Sequence, residues 1–564
     1  MTIKMTSFLR KTPFLMLALT LIVSAVYFKL PWQFFQQDEW HHLGQEYIWH
    51  QKGIIEFFAQ DAISFVGIRF LPLGALLNYI QFSVFGVNPT GYSIVSLSLH
   101  LINTLLVYLV VKKLIGRDRV AFLAALFFGV WASHQQAATW LIQHSTTLPA
   151  LTFSLLAIYF FAESKLFLSF LSILAAIFFK ETAYFLFPFL VLLPLFSGGK
   201  IKNIFKLKSV RVVLVTGIVY AAVLAAASFI QPKAQSEIFL PRTGFVQTIG
   251  RRIFSVPLRA VAQSVFQESM LINMSKTIAN LPVIKAFAPA AGTPQFDVFV
   301  EQVVGKRTMY FIAAVLLVVC IFALRRIWSN KHSQDTKGGI LIGLGIIIFG
   351  SFPLLFISTL AGNFTYLESR YLYIIGVGSA LLLALLFDRL IASFGKLAWI
   401  FVLLLVVGNG VLISNTLSGQ VEIGNQRRAI LAKIMSDRPD LAERTVFYTE
   451  SDIAFYGLPI EDKILPFQSG LGETLLISYQ PTENFPVEFY EDDFLWEITS
   501  QGYKEIGGRG FGYFRDMNLL KEALKKYNLP IESVVAFKFE SGVGALTDIT
   551  DQVSIEIKNG NKKR

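Results

Sequence analysis

A single cysteine, Cys320, occurs in 564 residues, so no disulfide can form within the chain. Charge is also scarce: Asp, Glu, Lys and Arg make up 16% of the residues, against about 25% in soluble domains. This shortage, with 54% hydrophobic residues and a mean hydropathy of +0.56, excludes a soluble globular protein and points to membrane-spanning helices. Acids are the scarcer sign, 38 against 50 basic residues, giving a formal net charge of +12. In so apolar a chain, cytoplasmic loops beside anionic lipid headgroups account for that excess better than nucleic acid does. Membrane lipids are therefore the expected surroundings, and no nucleic acid is expected as partner. Internal repeats and low-complexity tracts are absent too, which weighs against a transporter built from duplicated halves.

Apolar runs mark eleven candidate spans, at about 13–30, 92–111, 120–133, 147–162, 166–179, 183–197, 211–230, 309–325, 340–360, 371–388 and 397–414. The first has no small-residue cleavage site after it and reads as a retained anchor. Two are nearer 14 residues than the ~20 a full crossing needs, and charge alternation is what keeps them in the count. Arg10-Lys11 sets the amino terminus in the cytoplasm. Lys112-Lys113 with Arg117 and Arg119, then Lys165, Lys200 to Lys208, Arg325-Arg326, and Arg389 with Lys396 all fall on that same side. Segment 69–87, interrupted by Arg69, Pro72 and Asn78, reads as an interfacial or re-entrant helix, because a crossing there would invert every later loop.

The expected architecture is a polytopic α-helical membrane protein of about eleven spans over residues 1–415, with external loops at 31–91 and 231–308. After Ser414 the composition becomes that of a soluble domain, so 416–564 is expected to be one outward-facing α/β-type domain. Within it, Thr445–Tyr448 and Thr474–Tyr479 predict strands and Met517–Tyr527 an amphipathic helix. A multi-pass protein of a bacterial cytoplasmic membrane, amino terminus inside, follows. Loop 231–308 carries Arg242, Arg251, Arg252, Arg259, Lys276, Lys285, Lys306 and Arg307; these fit either solvated surface or attraction to lipid phosphates.

Ionisable residues near spans are expensive and gather at expected outer ends. Asp38 and Glu39 follow the first span, with His41 and His42 behind them. His100 and Asn103 lie one helical turn apart in the second span, His134 and His144 flank the turn after the third, and Lys180-Glu181 follow the fifth. Glu368-Ser369-Arg370-Tyr371-Leu372-Tyr373 precedes the tenth. Each has a plainer reading: a loop carboxylate at Asp38, a paired polar turn at Lys180-Glu181, capping or interfacial histidines, an aromatic belt around Arg370. His41 and His42 beside Asp38-Glu39 could be metal ligands, but adjacent histidines cannot both easily face one ion, so a divalent metal stays open as an alternative and is not the expectation, and no other cofactor is expected. An enzyme outside the cytoplasm has no nucleotide pool and needs a donor carried on a lipid. A carboxylate there would take a hydroxyl's proton, and fixed cations would steady a departing phosphate. Asp38 fits the first role, with Glu39 beside it; Arg69, Lys180 and Arg370 fit the second, with Tyr373 assisting. His41, His100, Asn103, His134, His144 and Glu181 are candidates for lining the cavity or meeting the acceptor.

Taken together these residues resemble the C-type, multi-spanning glycosyltransferases that use lipid-linked sugars. Asp38-Glu39-Trp40-His41 resembles the first-loop motif of protein O-mannosyltransferases, where the Asp is the base. Arg69 to Pro72-Leu73, Asn78-Tyr79, Phe85-Gly86, Asn88-Pro89, Gly91-Tyr92, His100 and Asn103 look more like the tetratricopeptide-containing mannosyltransferases and their bacterial relatives. His134 with Trp140, Lys180-Glu181 and Glu368 to Tyr373 follow in that family's order. The sequence departs from it at Leu71 before Pro72, at Ser93 and Ser96, between His134 and Trp140 where an acid is missing, at the inserted Ser369, and in having no tetratricopeptide repeats. The resemblance implies a hexosyltransferase, mannosyltransferase-like, taking a polyprenyl-phosphate sugar to a protein, lipid or glycan acceptor. Direct displacement with one base implies inversion at the anomeric carbon. A lipid-linked sugar transporter and a surface-polysaccharide polymerase or ligase are the alternatives.

Overall fold

A computed structural model describes residues 12–36, 38–60, 70–141, 144–196, 206–230, 245–328, 334–356, 366–454, 463–467 and 470–562. Its principal helices begin with α1 (Thr12–Val26), α2 (Glu39–Lys52), α3 (Pro72–Phe85), α4 (Pro89–Ile115) and α5 (Asp118–Val130). There follow α6 (His144–Ala162), α7 (Leu166–Phe179), α8 (Leu186–Phe196), α9 (Lys208–Ile230) and α10 (Phe245–Val265). Then come α11 (Glu268–Ala279), α12 (Lys306–Trp328), α13 (Gln334–Ser351), α14 (Tyr373–Phe394) and α15 (Lys396–Asp437). The chain separates into two units: Met1–Phe28 with Gln60–Leu76 and Val95–Asn415, and Lys29–Ala59 with Leu77–Ile94 and Thr416–Arg564.

Where their residues are described, the eleven apolar runs coincide with helices. Among the described residues, seven helical stretches are long and apolar enough to cross a membrane: Thr12–Trp32, Pro89–Ile115, His144–Ala162, Gln295–Phe322, Thr336–Phe356, Ser369–Phe394 and Lys396–Asp437. The chain is thus an integral membrane protein. Helix α5 shows how a short run fits: at 1.5 Å per residue its 13 residues reach only about 20 Å, less than the ~30 Å hydrocarbon core. It does not meet lipid, for ten of those residues are buried and it packs on α1 and α14. Lipid-facing positions belong to outer helices, as with Phe167 on α7 and Phe311 on α12, each 71% exposed.

Region 231–308, expected as a loop, is largely helical where described: α10 and α11 lie in it, followed by short helices at Pro282–Lys285 and Pro294–Val298 and a π-helical segment, Phe299–Gly305, that leads into α12. Its cations do not form one solvated face. Arg252 and Arg259 are buried, and Arg252 Nη1 donates to the Leu355 carbonyl at 2.9 Å. The solvated-surface reading therefore fails at these two positions. Arg242 lies outside the described residues.

The second unit contains β1 (Arg444–Ser451), α16 (Leu471–Tyr479), β2 (Gly502–Ile506), β3 (Arg509–Phe514), α17 (Met517–Lys526), β4 (Val534–Glu540), β5 (Ala545–Asp548) and α18 (Thr550–Lys562). The sheet order is β2-β3-β1-β4-β5. Central β1 runs parallel to β3 and β4, while the edge pairs are antiparallel. Alternation along β1 sends Val446 and Tyr448 to a core with Leu520, Leu524 and Val553, and Phe447 to the other face beside Phe511 and Tyr479. The expected strand at 445–448 and helix at 517–527 are present.

The expected strand at 474–479 is instead helix α16. All nine of its residues are buried, so neither a two-residue nor a 3.6-residue period is visible in its side chains. Gly470 starts it at φ +82°, and a Cβ there would stand 2.5 Å from the Leu495 carbonyl oxygen. Only glycine fits that approach.

Candidate functional site

In the first unit, Tyr373 begins α14 and its hydroxyl meets two side chains of α4: His100 Nδ1 at 2.8 Å and Asn103 Nδ2 at 3.2 Å. Proton roles follow from the outer partners. The Gly129 carbonyl, 3.0 Å from His100 Nε2, can only accept, so Nε2 carries hydrogen and Nδ1 accepts from the Tyr373 hydroxyl. Asn103 donates to that hydroxyl and to the Leu148 carbonyl, and its Oδ1 accepts from Thr152 at 2.8 Å. One chain of hydrogen bonds thus joins α4, α5, α6 and α14, and in it every polar atom has an answer. His134 lies beside it, Nε2 donating to the Phe128 carbonyl at 2.9 Å and its ring stacked on Phe128. A Cβ at Gly376 would stand 2.6 Å from His134 Nδ1, which is why α14 carries glycine there. His100, Asn103, His134 and Tyr373 are all buried. Their contacts form a structural lock.

The cations next to this lock are differently placed. Arg370 sits three residues before Tyr373, its guanidinium over the Trp140 ring at 4.4 Å and paired with Glu368 at 2.6 Å. Gln136 holds its backbone: Gln136 Oε1 accepts from Arg370 N, and Gln136 N donates to Ser369 Oγ, both at 3.3 Å. The inserted Ser369 is therefore part of the local geometry. One turn after Trp140, His144 N donates to the Trp140 carbonyl and opens α6. Three residues further, Thr147 Oγ1 accepts from Lys180 Nζ at 2.7 Å, with Lys180 and Glu181 both buried. Gln136 and Trp140 thus hold Arg370, and Thr147 holds Lys180, all in the first unit. Arg69 lies outside the described residues.

Asp38, Glu39 and His41 belong to the second unit. Glu39 Oε2 accepts from Gln36 N at 2.7 Å, so this fully buried carboxylate turns back to tie the start of α2. Asp38 occupies the N-cap position yet makes no capping bond. Among the described residues its Oδ1 is buried with no hydrogen-bond partner, and no ion pair reaches its side chain. Most buried carboxylate oxygens are answered, and one that is not calls for an explanation.

One turn on, His41 Nδ1 lies 3.1 Å from Glu473 Oε1, and Gln45 Nε2 donates to His41 Nε2 at 2.9 Å. The Trp496 ring packs on the imidazole, with centroids 4.2 Å apart. Burial raises the Glu473 carboxyl above the usual range, and the His41 hydrogen bond opposes that shift. Sequence reasoning missed Glu473, Gln45 and Trp496. The available signal was a lone acid inside the apolar run 471–479. Among the described residues no three His, Cys, Asp or Glu side chains are grouped as metal ligands.

Fold and site together define a polytopic helical membrane protein carrying a mixed-sheet α/β domain, with polar side chains clustered in each unit. Its fold is similar to ArnT from Cupriavidus metallidurans in the apo state, at 13% identity, a TM-score of 0.36, and coverage of 93% of this chain and 92% of that one. It is likewise similar to ArnT from the same organism bound to undecaprenyl phosphate, at 15% identity, a TM-score of 0.36, and coverage of 83% and 84%. At those values the likeness assigns no residue. No family model and no curated protein matches the sequence.

Proposed function

We propose that this chain is an integral-membrane glycosyltransferase that moves a sugar from a polyprenyl-phosphate carrier to an acceptor hydroxyl on the outer face of the membrane. The observation that carries the reading is the Asp38 carboxylate, held at the start of α2 with its Oδ1 buried and without a hydrogen-bond partner among the described residues. Capping, the plain role for an acid at that position, is not what it does; the buried neighbouring acid, Glu39, does the tying. A carboxylate left unanswered is available to accept a proton.

In the proposed reaction Asp38 takes the acceptor hydroxyl's proton while that oxygen attacks the anomeric carbon. The bond from that carbon to the phosphate oxygen breaks, and the polyprenyl phosphate leaves with the electron pair. Lys180 and Arg370 act on the phosphate as its charge builds, together with Arg69, and one displacement inverts the anomeric centre. The buried Tyr373 keeps Arg370 in place through the α14 lock, so its part in phosphate binding is indirect. No metal or other cofactor is invoked. The sugar is a hexose on this reading, and protein, lipid and glycan remain the acceptor classes to be separated by experiment.

The test uses the full chain reconstituted in lipid vesicles with an undecaprenyl-phosphate hexose, following loss of donor. Asp38→Asn is expected to lower turnover by about 10²–10⁴-fold while circular dichroism and donor binding stay at wild-type levels. Near-normal turnover in that variant would falsify the assigned base.

A further inference from the structure

On another part of the first unit, α10, α12, α13 and α14 enclose a groove of about 860 Å³. That volume lies within the ~300–1,000 Å³ of ordinary ligand cavities. Its walls are apolar, formed by Val261, Leu316, Phe322, Ile340, Leu382 and Leu386 among others. Phe322 and Leu386 are 66% and 48% exposed, so the groove opens sideways from helices of membrane-spanning composition. A side opening of that kind faces hydrocarbon chains.

The polar groups at one end are basic. Thr336 and Arg389 both line the groove. Thr336 is buried, and its hydroxyl accepts from two guanidiniums, Arg117 Nη2 at 3.2 Å and Arg389 Nη2 at 3.3 Å. Arg119 joins them through Asp388, whose oxygens meet Arg119 Nε at 2.5 Å and Arg117 Nη1 at 2.7 Å. Among the described side chains of this cluster, the Asp388 carboxylate answers two of the three guanidiniums, and Arg389 meets the Thr336 hydroxyl instead. Arg117 Nε is buried there with no hydrogen-bond partner among the described residues. Arg389, at the mouth, is exposed.

We infer that this groove is a binding site for an anionic phospholipid, its acyl chains along the apolar walls and its phosphodiester at Arg389 and Arg117. Two features select that occupant. The excess of guanidinium over carboxylate asks for a phosphate, which two planar forks meet through several charge-assisted bonds. The same arginines stand among the loops whose basic residues mark the cytoplasmic side, where anionic lipids are richest and basic pockets between helices bind their headgroups. The site is independent of Asp38 and of the reaction proposed for it.

The full chain is reconstituted in vesicles of equal parts phosphatidylcholine and phosphatidylglycerol and re-extracted in mild detergent. After size exclusion, retained phospholipid is identified by mass spectrometry. Wild-type protein is expected to keep phosphatidylglycerol over phosphatidylcholine, and Arg389→Gln to keep about fivefold less of it or lower still. Ser379→Phe, which places a ring in the groove, is expected to lower retention with the headgroup end intact. Inorganic phosphate is expected not to displace the lipid, since it has no chains to fill the walls. Equal retention of the two lipids overturns the inference. So does wild-type retention by the exposed-site variant Arg389→Gln, displacement by inorganic phosphate, or a dimer of the chain that carries no lipid.

Discussion

Tyr373 ties α14 to α4 through a single oxygen, and what that oxygen costs to remove can be stated. Tyr373→Phe leaves His100 Nδ1 with no donor and takes one of the two acceptors from Asn103 Nδ2. An unanswered buried group costs about 1–3 kcal/mol, so the variant is expected to unfold at a lower temperature in a detergent melt, with the helical circular dichroism of the native state unchanged. Glu473 makes a prediction of opposite kind. Its carboxyl is raised in the folded protein, so the native state binds its proton more firmly than the unfolded chain does, and stability should fall as pH rises from the ordinary carboxylate range upward. Glu473→Gln keeps an acceptor for His41 Nδ1 and removes the titration. Its thermal midpoint should therefore vary less with pH across that window, and an unchanged slope would count against the assignment. At this scale the sequence was partly legible. Asp38 stood out because a pair of acids comes eight residues after the first apolar run, whereas the partner of His41 lies 432 residues away and has no local mark.

Helices in the first unit were legible because a membrane span is written locally, as a run of apolar residues that needs no distant contact to be recognised. The limits of that signal appear where burial is complete on all sides. Leu471–Tyr479 offers Thr, Ile and Tyr in an apolar run, favourable to a strand by propensity, and folds as a helix because its surroundings decide. The mark of its start is backbone geometry at Gly470. Gly470→Ala forces a left-handed φ on a residue with a Cβ and sets that carbon against the Leu495 carbonyl. A loss of about 1–2 kcal/mol or more is expected, read as a lower denaturation midpoint that Gly507→Ala, at an open turn with φ +57°, should not match in full. In region 231–308 the sequence showed the cations but not their burial. Helices of an amphipathic kind can point arginines inward as readily as outward, and the choice is made by what packs on them, here the Leu355 carbonyl for Arg252.

For the whole molecule, the distribution of basic residues predicts which side each region faces. In a background where Cys320 is replaced by Ser, a cysteine introduced at exposed Ser541 should react with an impermeant maleimide in intact cells. One introduced at exposed Lys165 should react only after lysis. The reverse pattern would turn the topology over and take the outward-facing reaction with it. The lock around Tyr373 has a further consequence, for how the protein is made. His100 enters the bilayer with α4, but the hydroxyl that answers its Nδ1 is 273 residues further along the chain. Arg117 likewise waits 271 residues for Asp388. During synthesis the early helices therefore hold polar groups in or beside lipid with their mates still on the ribosome, so the bundle cannot set until the span Ser369–Phe394 arrives, and a nascent chain cut short of residue 373 is a natural target for quality-control proteolysis.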